Sequence, residues 1–89
     1  MRNTTIFLEQ TYGARSAFCA AIGAELRARR LACRLSQRDL ATPLTAAYVS
    51  SVETGRVIPS LPALLMMLDR LGVSPPIYFE AVNCRLRRV

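Results

Sequence analysis

Histidine and lysine are both absent from this 89-residue chain, and only six residues are acidic. With no histidine, with carboxylates scattered singly and with no glycine-rich phosphate loop, there is no acid–base pair or activated nucleophile to assign, which argues against an enzyme. The three cysteines, Cys19, Cys33 and Cys84, are odd in number and have no histidine to complete a zinc site. They read as reduced thiols, and no metal or cofactor is expected. No basic stretch followed by an apolar run opens the chain, and no apolar run is long enough to span a bilayer. A soluble, unprocessed cytoplasmic protein is therefore expected, without a membrane partner and without an evident small-molecule effector. There is also no internal repeat, low-complexity tract or linker, so a single domain is expected.

What is present is positive charge. Twelve arginines against six acids give a net charge of +6, suited to a polyanionic partner. The exclusive use of arginine fits both two-point contacts with phosphate oxygens and the codon bias of a GC-rich genome.

Helical signals begin near Ser16, where Phe18, Ile22 and Leu26 recur at fourfold spacing and predict a first helix ending near Arg34. Residues 1–15 form an arm of uncertain structure, because the opening Thr-Thr-Ile-Phe-Leu cluster suits an extended form and a short helix equally. Ser36 and Asp39 have the spacing of a capping box for a second helix that Pro43 should end. Thr45 caps a third helix over residues 46–54, closed by Gly55. Ser60 caps a fourth, with Pro62 harmless in its first turn and Gly72 at its end. Ser74-Pro75-Pro76 opens a last helix from Ile77 to about Leu86, followed by a basic tail at 87–89. The fold class is all-α, with five helices in one unit at 16–86.

Two short helices joined by a tight turn in a basic domain can place one helix across a DNA backbone and the next in the major groove. Particular residues strengthen that reading. Ile22-Gly23, Leu26-Arg27, Arg30, Leu35-Ser36-Gln37, Leu40-Ala41, Tyr48-Val49-Ser50, Val52-Glu53-Thr54-Gly55, Pro59-Ser60-Leu61 and Leu71-Gly72-Val73-Ser74 resemble, in order and spacing, the Cro/C1-type (XRE) helix-turn-helix family. The resemblance covers about residues 20–80 and implies a lambda-repressor-like DNA-binding domain with a central helix-turn-helix. One departure is a stretch from Leu40 to Tyr48 about two residues shorter than the usual pattern, with Pro43-Leu44 in place of a glycine-containing turn.

The resemblance implies that Gln37 contacts a phosphate and that Arg30 and Glu53 pair between the first and third helices. It places Thr45, Ala46, Ala47, Tyr48, Ser50 and Ser51 on the recognition surface, with Val49 and Val52 turned inward against Leu40 and Leu44. Strong base readers make two hydrogen bonds to one base edge, and none of these six does so. Ala46 and Ala47 offer apolar contact to thymine methyls, Ser50 and Ser51 single hydrogen bonds, and Tyr48 stacking or a phosphate contact. Specificity is therefore expected to rest on DNA shape and on groups outside this helix. Arg56 is the foremost of these, with a solvated loop arginine as its alternative. Arg38 is placed to reach a phosphate, and Arg2 is a candidate for a neighbouring minor groove.

Met66, Met67, Ile77, Tyr78, Phe79 and Val82 form an apolar surplus on the last two helices, which the resemblance assigns to a homodimer interface. A homodimer implies an inverted-repeat operator with recognition helices about 34 Å apart. The implied role is transcription regulation, as repressor or repressor/activator switch, of the kind carried by phage, plasmid and other mobile genetic elements. The alternative is a protein-interaction module that keeps the fold while its alanine-rich third helix no longer reads DNA.

Overall fold

A computed structural model describes residues 4–87, with side chains at position 13 and from 15 to 87. Five helices follow one another: α1 (Thr4–Ala32), α2 (Gln37–Ala41), α3 (Ala46–Glu53), α4 (Leu61–Leu71) and α5 (Pro75–Arg87). No strand occurs among the described residues.

The predicted caps set most of the boundaries. The Asp39 N–H donates to Ser36 Oγ at 2.9 Å and the Ser36 N–H to Asp39 Oδ2 at 3.2 Å, completing the capping box of α2. Thr45 Oγ1 accepts from the Tyr48 N–H at 3.1 Å to open α3, and Ser60 Oγ accepts from the Ala63 N–H at 3.3 Å to open α4. Gly72, at φ 68°, closes α4 in the left-handed region.

The first helix differs from expectation at both ends. It is helical from Thr4, so the segment read as an arm takes the helical alternative from that residue on. Extending an existing helix adds one hydrogen bond per residue and needs no apolar periodicity. Arg2 lies outside the described residues. At the other end α1 stops at Ala32, because Arg34 adopts φ 58°. The Leu35 N–H then bonds back to the Arg30 carbonyl and the Arg34 N–H to Leu31, a Schellman closure made without glycine.

The core lies where α1, α3, α4 and α5 converge over α2. Ala21, Ile22 and Leu26 of α1 meet Leu40, Val49, Val52, Leu64, Met67, Leu68, Tyr78 and Val82 there, all buried. Phe18, predicted on the same stripe, is exposed because it lies at the edge of the region that the other helices cover. Cys33 and Cys84 are exposed and, like buried Cys19, unpaired.

Met67, Tyr78 and Val82, expected on a dimer face, belong instead to this core, at no more than 1% exposure. The inward stripe of α4 runs through Ala63, Leu64, Met67 and Leu68, which turns Met67 away from solvent. Tyr78 is anchored by its hydroxyl, which donates to the Ile22 carbonyl at 2.7 Å. Its burial, with a lesser contribution from Glu25, raises the phenol's pKa and keeps that proton in place. Ile77 remains exposed, and Met66 and Phe79 are half-buried.

Two contacts fix α1 against its neighbours. At Gly23 the helix touches the end of α3 so closely that a Cβ would collide with the Val52 carbonyl and lie 2.8 Å from that of Glu53. Glu25 ties α1 to α5 by accepting from Arg85 Nε at 2.8 Å, and also accepts from Arg29 Nε at 2.7 Å. Burial alone would raise the Glu25 carboxyl, but the hydrogen bonds from Arg85 and Arg29 and their charges outweigh it and the pKa is lowered.

Gly23→Ala is expected to destabilise the fold by about 3 kcal/mol, since backbone rather than a movable side chain receives the methyl. Urea denaturation measures this, and an unchanged midpoint would refute the close approach. The Glu25 cluster carries a pH dependence. Its folded-state pKa lies below the ordinary value of 4.5, so its stabilisation is complete above about that pH and is lost as pH falls through the folded value. Asp39, lowered chiefly by the Ser36 backbone N–H, acts with the same sign. Glu25→Gln should therefore flatten the fall of Tm below pH 4.5, as followed by circular dichroism.

Candidate nucleic-acid interface

The turn between α2 and α3 is short because each helix end is tied off locally. The Thr42 hydroxyl donates to the Arg38 carbonyl at 3.0 Å, and the Leu44 N–H donates to that of Ala41 at 2.6 Å. Leu40 and Ala41 of α2 interlock with Val49 and Val52 of α3, all four at 0% exposure, so the angle between the helices is fixed by close packing. Leu44, expected in this contact, is 42% exposed. It follows Pro43 in the turn and lines a surface cleft instead.

A polar network holds the far end of α3. Arg30 donates from Nε to Glu53 Oε2 at 2.6 Å and from Nη2 to Oε1 at 3.0 Å, and its Nη1 reaches the Leu35 carbonyl at 2.8 Å. The Glu53 side chain is 1% exposed and that of Arg30 9%. The hydrogen bond from Arg30 to Glu53 raises the arginine's pKa despite its burial, so the guanidinium keeps its proton.

Gln37, assigned to a phosphate contact, has its amide nitrogen committed to Glu53 Oε1 at 3.1 Å. The two residues are sixteen apart, so no local pattern in the sequence signals this bond. Arg70, which belongs to none of the sequence motifs, donates from Nη1 to the Leu40 carbonyl at the end of α2 at 3.0 Å.

Along α3, Thr45 and Ala47 are exposed, and Ala46, Ser50 and Ser51 are half-buried. Tyr48, expected to face DNA, has its hydroxyl on the Ser60 N–H, which donates to it at 3.2 Å. Its ring lines an apolar cleft of about 580 Å³ with Pro43, Leu44, Ile58, Pro62 and Met66. The tyrosine thus braces the segment before α4. Sequence spacing could assign it to a helix but could not find a partner twelve residues away. Arg38 and Arg56 are exposed on either side of α3, and Arg56 follows Gly55, whose φ of 77° ends the helix.

Residues 21–76 match the helix-turn-helix domain family. The chain belongs to that family. Among solved structures, the helix-turn-helix protein is similar to the clp gene regulator ClgR from Corynebacterium glutamicum, with a TM-score of 0.74 and 26% identity over 79% of this chain and 77% of that one. No curated protein matches it. No helix among its described residues is long and apolar enough to cross a membrane.

The Arg30–Glu53 pair has a direct test. Arg30→Ala leaves a desolvated carboxylate with only Gln37 for company and should cost on the order of 3 kcal/mol in chemical denaturation. The double replacement Arg30→Met with Glu53→Leu should cost clearly less. Equal losses would mean that packing rather than charge pairing holds this junction.

Proposed function

We propose that the helix-turn-helix protein is a cytoplasmic regulator of transcription that binds double-stranded DNA as a homodimer on an inverted-repeat operator. Family membership and the likeness to a gene regulator support the coarser reading of a non-enzymatic DNA-binding transcription regulator. The observation that carries the proposal is a helix anchored by buried Val49, Val52 and Glu53 while Thr45 and Ala47 are exposed, with exposed Arg38 preceding it in the chain and exposed Arg56 following it.

In this reading α3 enters the major groove. Its short side chains let the backbone approach closely, Ala46 and Ala47 meet thymine methyls, and Thr45, Ser50 and Ser51 make single hydrogen bonds. Arg38 and Arg56 take backbone phosphates, and the Gln37 oxygen remains available as an acceptor. Because these groups discriminate weakly, selectivity comes largely from the shape and deformability of the operator. The dimer uses apolar side chains left outside the core, among them Leu61, Leu65 and Ile77. They carry no charge, so two +6 chains meet there with the least repulsion.

The absence of a two-point base reader from α3 favours a second reading, a protein-interaction module on the same fold. Salt separates the two. Phosphate contacts lower log affinity by about 0.9 per contact for each unit of log salt, whereas a largely apolar protein interface responds weakly. Titration of a fluorescent duplex from the DNA upstream of its own gene should show that steep dependence. Arg56→Gln should weaken binding to all sequences alike. Absence of any shift at low salt would leave the interaction module as the better reading.

A further inference from the structure

The family match begins at residue 21, so more than half of α1 lies outside it. That extension is brought over the end of α3 at Gly55. A Cβ on Gly55 would stand 3.3 Å from the Ala20 Cα, a tight approach that the glycine permits. One helical turn back along α1, Ser16 and Arg15 reach the same place, while Arg56 follows Gly55 on the other chain segment. Arg15, Ser16, Cys19, Gly55 and Arg56 together line a polar recess of about 240 Å³.

Two arginines, Arg15 and Arg56, line this recess. Among the described residues no carboxylate pairs with Arg15 or Arg56, whereas Arg29, Arg30 and Arg85 all have acidic partners. Like charges set side by side attract an anion, and the Ser16 hydroxyl adds a neutral donor. Three of the four last-turn carbonyls of α3, which would oppose an anion, are already occupied. Ser50 accepts from Thr54, Ser51 from Arg56, and Val52 from Gly55. These bonds also use up the backbone N–H groups of Gly55 and Arg56, so only side chains are free to grip the ligand. Two long arms over an open recess suit a phosphate held in place by the rest of a polymer better than a small anion that needs enclosure.

We propose that this recess binds one backbone phosphate of DNA, with Arg15 and Arg56 as its two arms. The contact comes from the extended first helix rather than from the helix-turn-helix, and it rests on the DNA-binding function proposed above. It places the duplex beyond the C-terminal end of α3 as well as along its exposed face.

The test is a double-mutant cycle on the full chain, with Arg15→Gln, Arg56→Gln and both together, titrated against the same duplex over a range of salt. Each single variant should weaken binding about tenfold, the loss of one charged hydrogen bond, for specific and unrelated duplexes alike. Each should also make the salt slope shallower by up to about one unit. The double variant should bind nearly as well as either single one, because the arms share one phosphate. Arg15→Lys should keep the salt slope, and circular dichroism should show all variants folded. Wild-type binding with a normal salt slope, unaltered by Arg15→Gln, would overturn the recess and leave the DNA-binding function standing. Fully multiplied losses in the double variant would also overturn it, since they mean separate phosphates. No salt-dependent binding by the wild type would overturn both.

Discussion

The Glu53 carboxylate, buried at the end of α3, needs partners for its oxygens, and three elements are organised around that requirement. Arg30 reaches it from α1 with two nitrogens, and Gln37 reaches it from the first turn of α2. The same guanidinium takes the Leu35 carbonyl, so the linker between α1 and α2 is bound into the network. Apolar packing brings α2 and α3 together but is tolerant of small rotations. A carboxylate shared between a planar fork and an amide is much less tolerant, and it sets the direction in which α3 leaves the body of the protein.

In the proposed DNA-binding reading, that anchoring is what allows a helix with short side chains to serve at the interface. Thr45, Ala46, Ala47, Ser50 and Ser51 cannot compensate for a badly aimed helix by reaching further, so orientation must come from behind. It does so from the Glu53 network, from the Tyr48 hydroxyl on the segment before α4, and from Arg70 on the end of α2. A rigid frame with an undemanding tip accords with the proposed readout of groove shape and thymine methyls more than with readout of individual donor and acceptor patterns.

The glycines at the α1–α3 crossing have separate uses. Gly23 lets the two helices touch where the ion pair forms, while Gly55 ends α3 and lets α1 continue past it. The first helix is therefore both a wall of the core and a strut that reaches beyond the family's own boundary at residue 21. Arg15, remote from α3 in sequence, becomes a neighbour of its C-terminal end for that reason.

Much of this was legible in the residue order, because caps and turns are local chemistry. Ser36 with Asp39, Thr45, Ser60, Gly55 and Gly72 mark helix ends through groups within a few residues of one another, and together with the family spacing they determined an all-α helix-turn-helix chain. Burial and partnership were not local, and only the tertiary structure decided them. Whether Met67, Tyr78 and Val82 face a second copy or their own core depends on the rotation of α4 and α5 against α1. Whether Gln37 and Tyr48 point to DNA or inward depends on Glu53 and Ser60, sixteen and twelve residues away. Apolar periodicity identifies a face but not what covers it, and a side chain with a polar tip takes whichever partner the packing brings within reach.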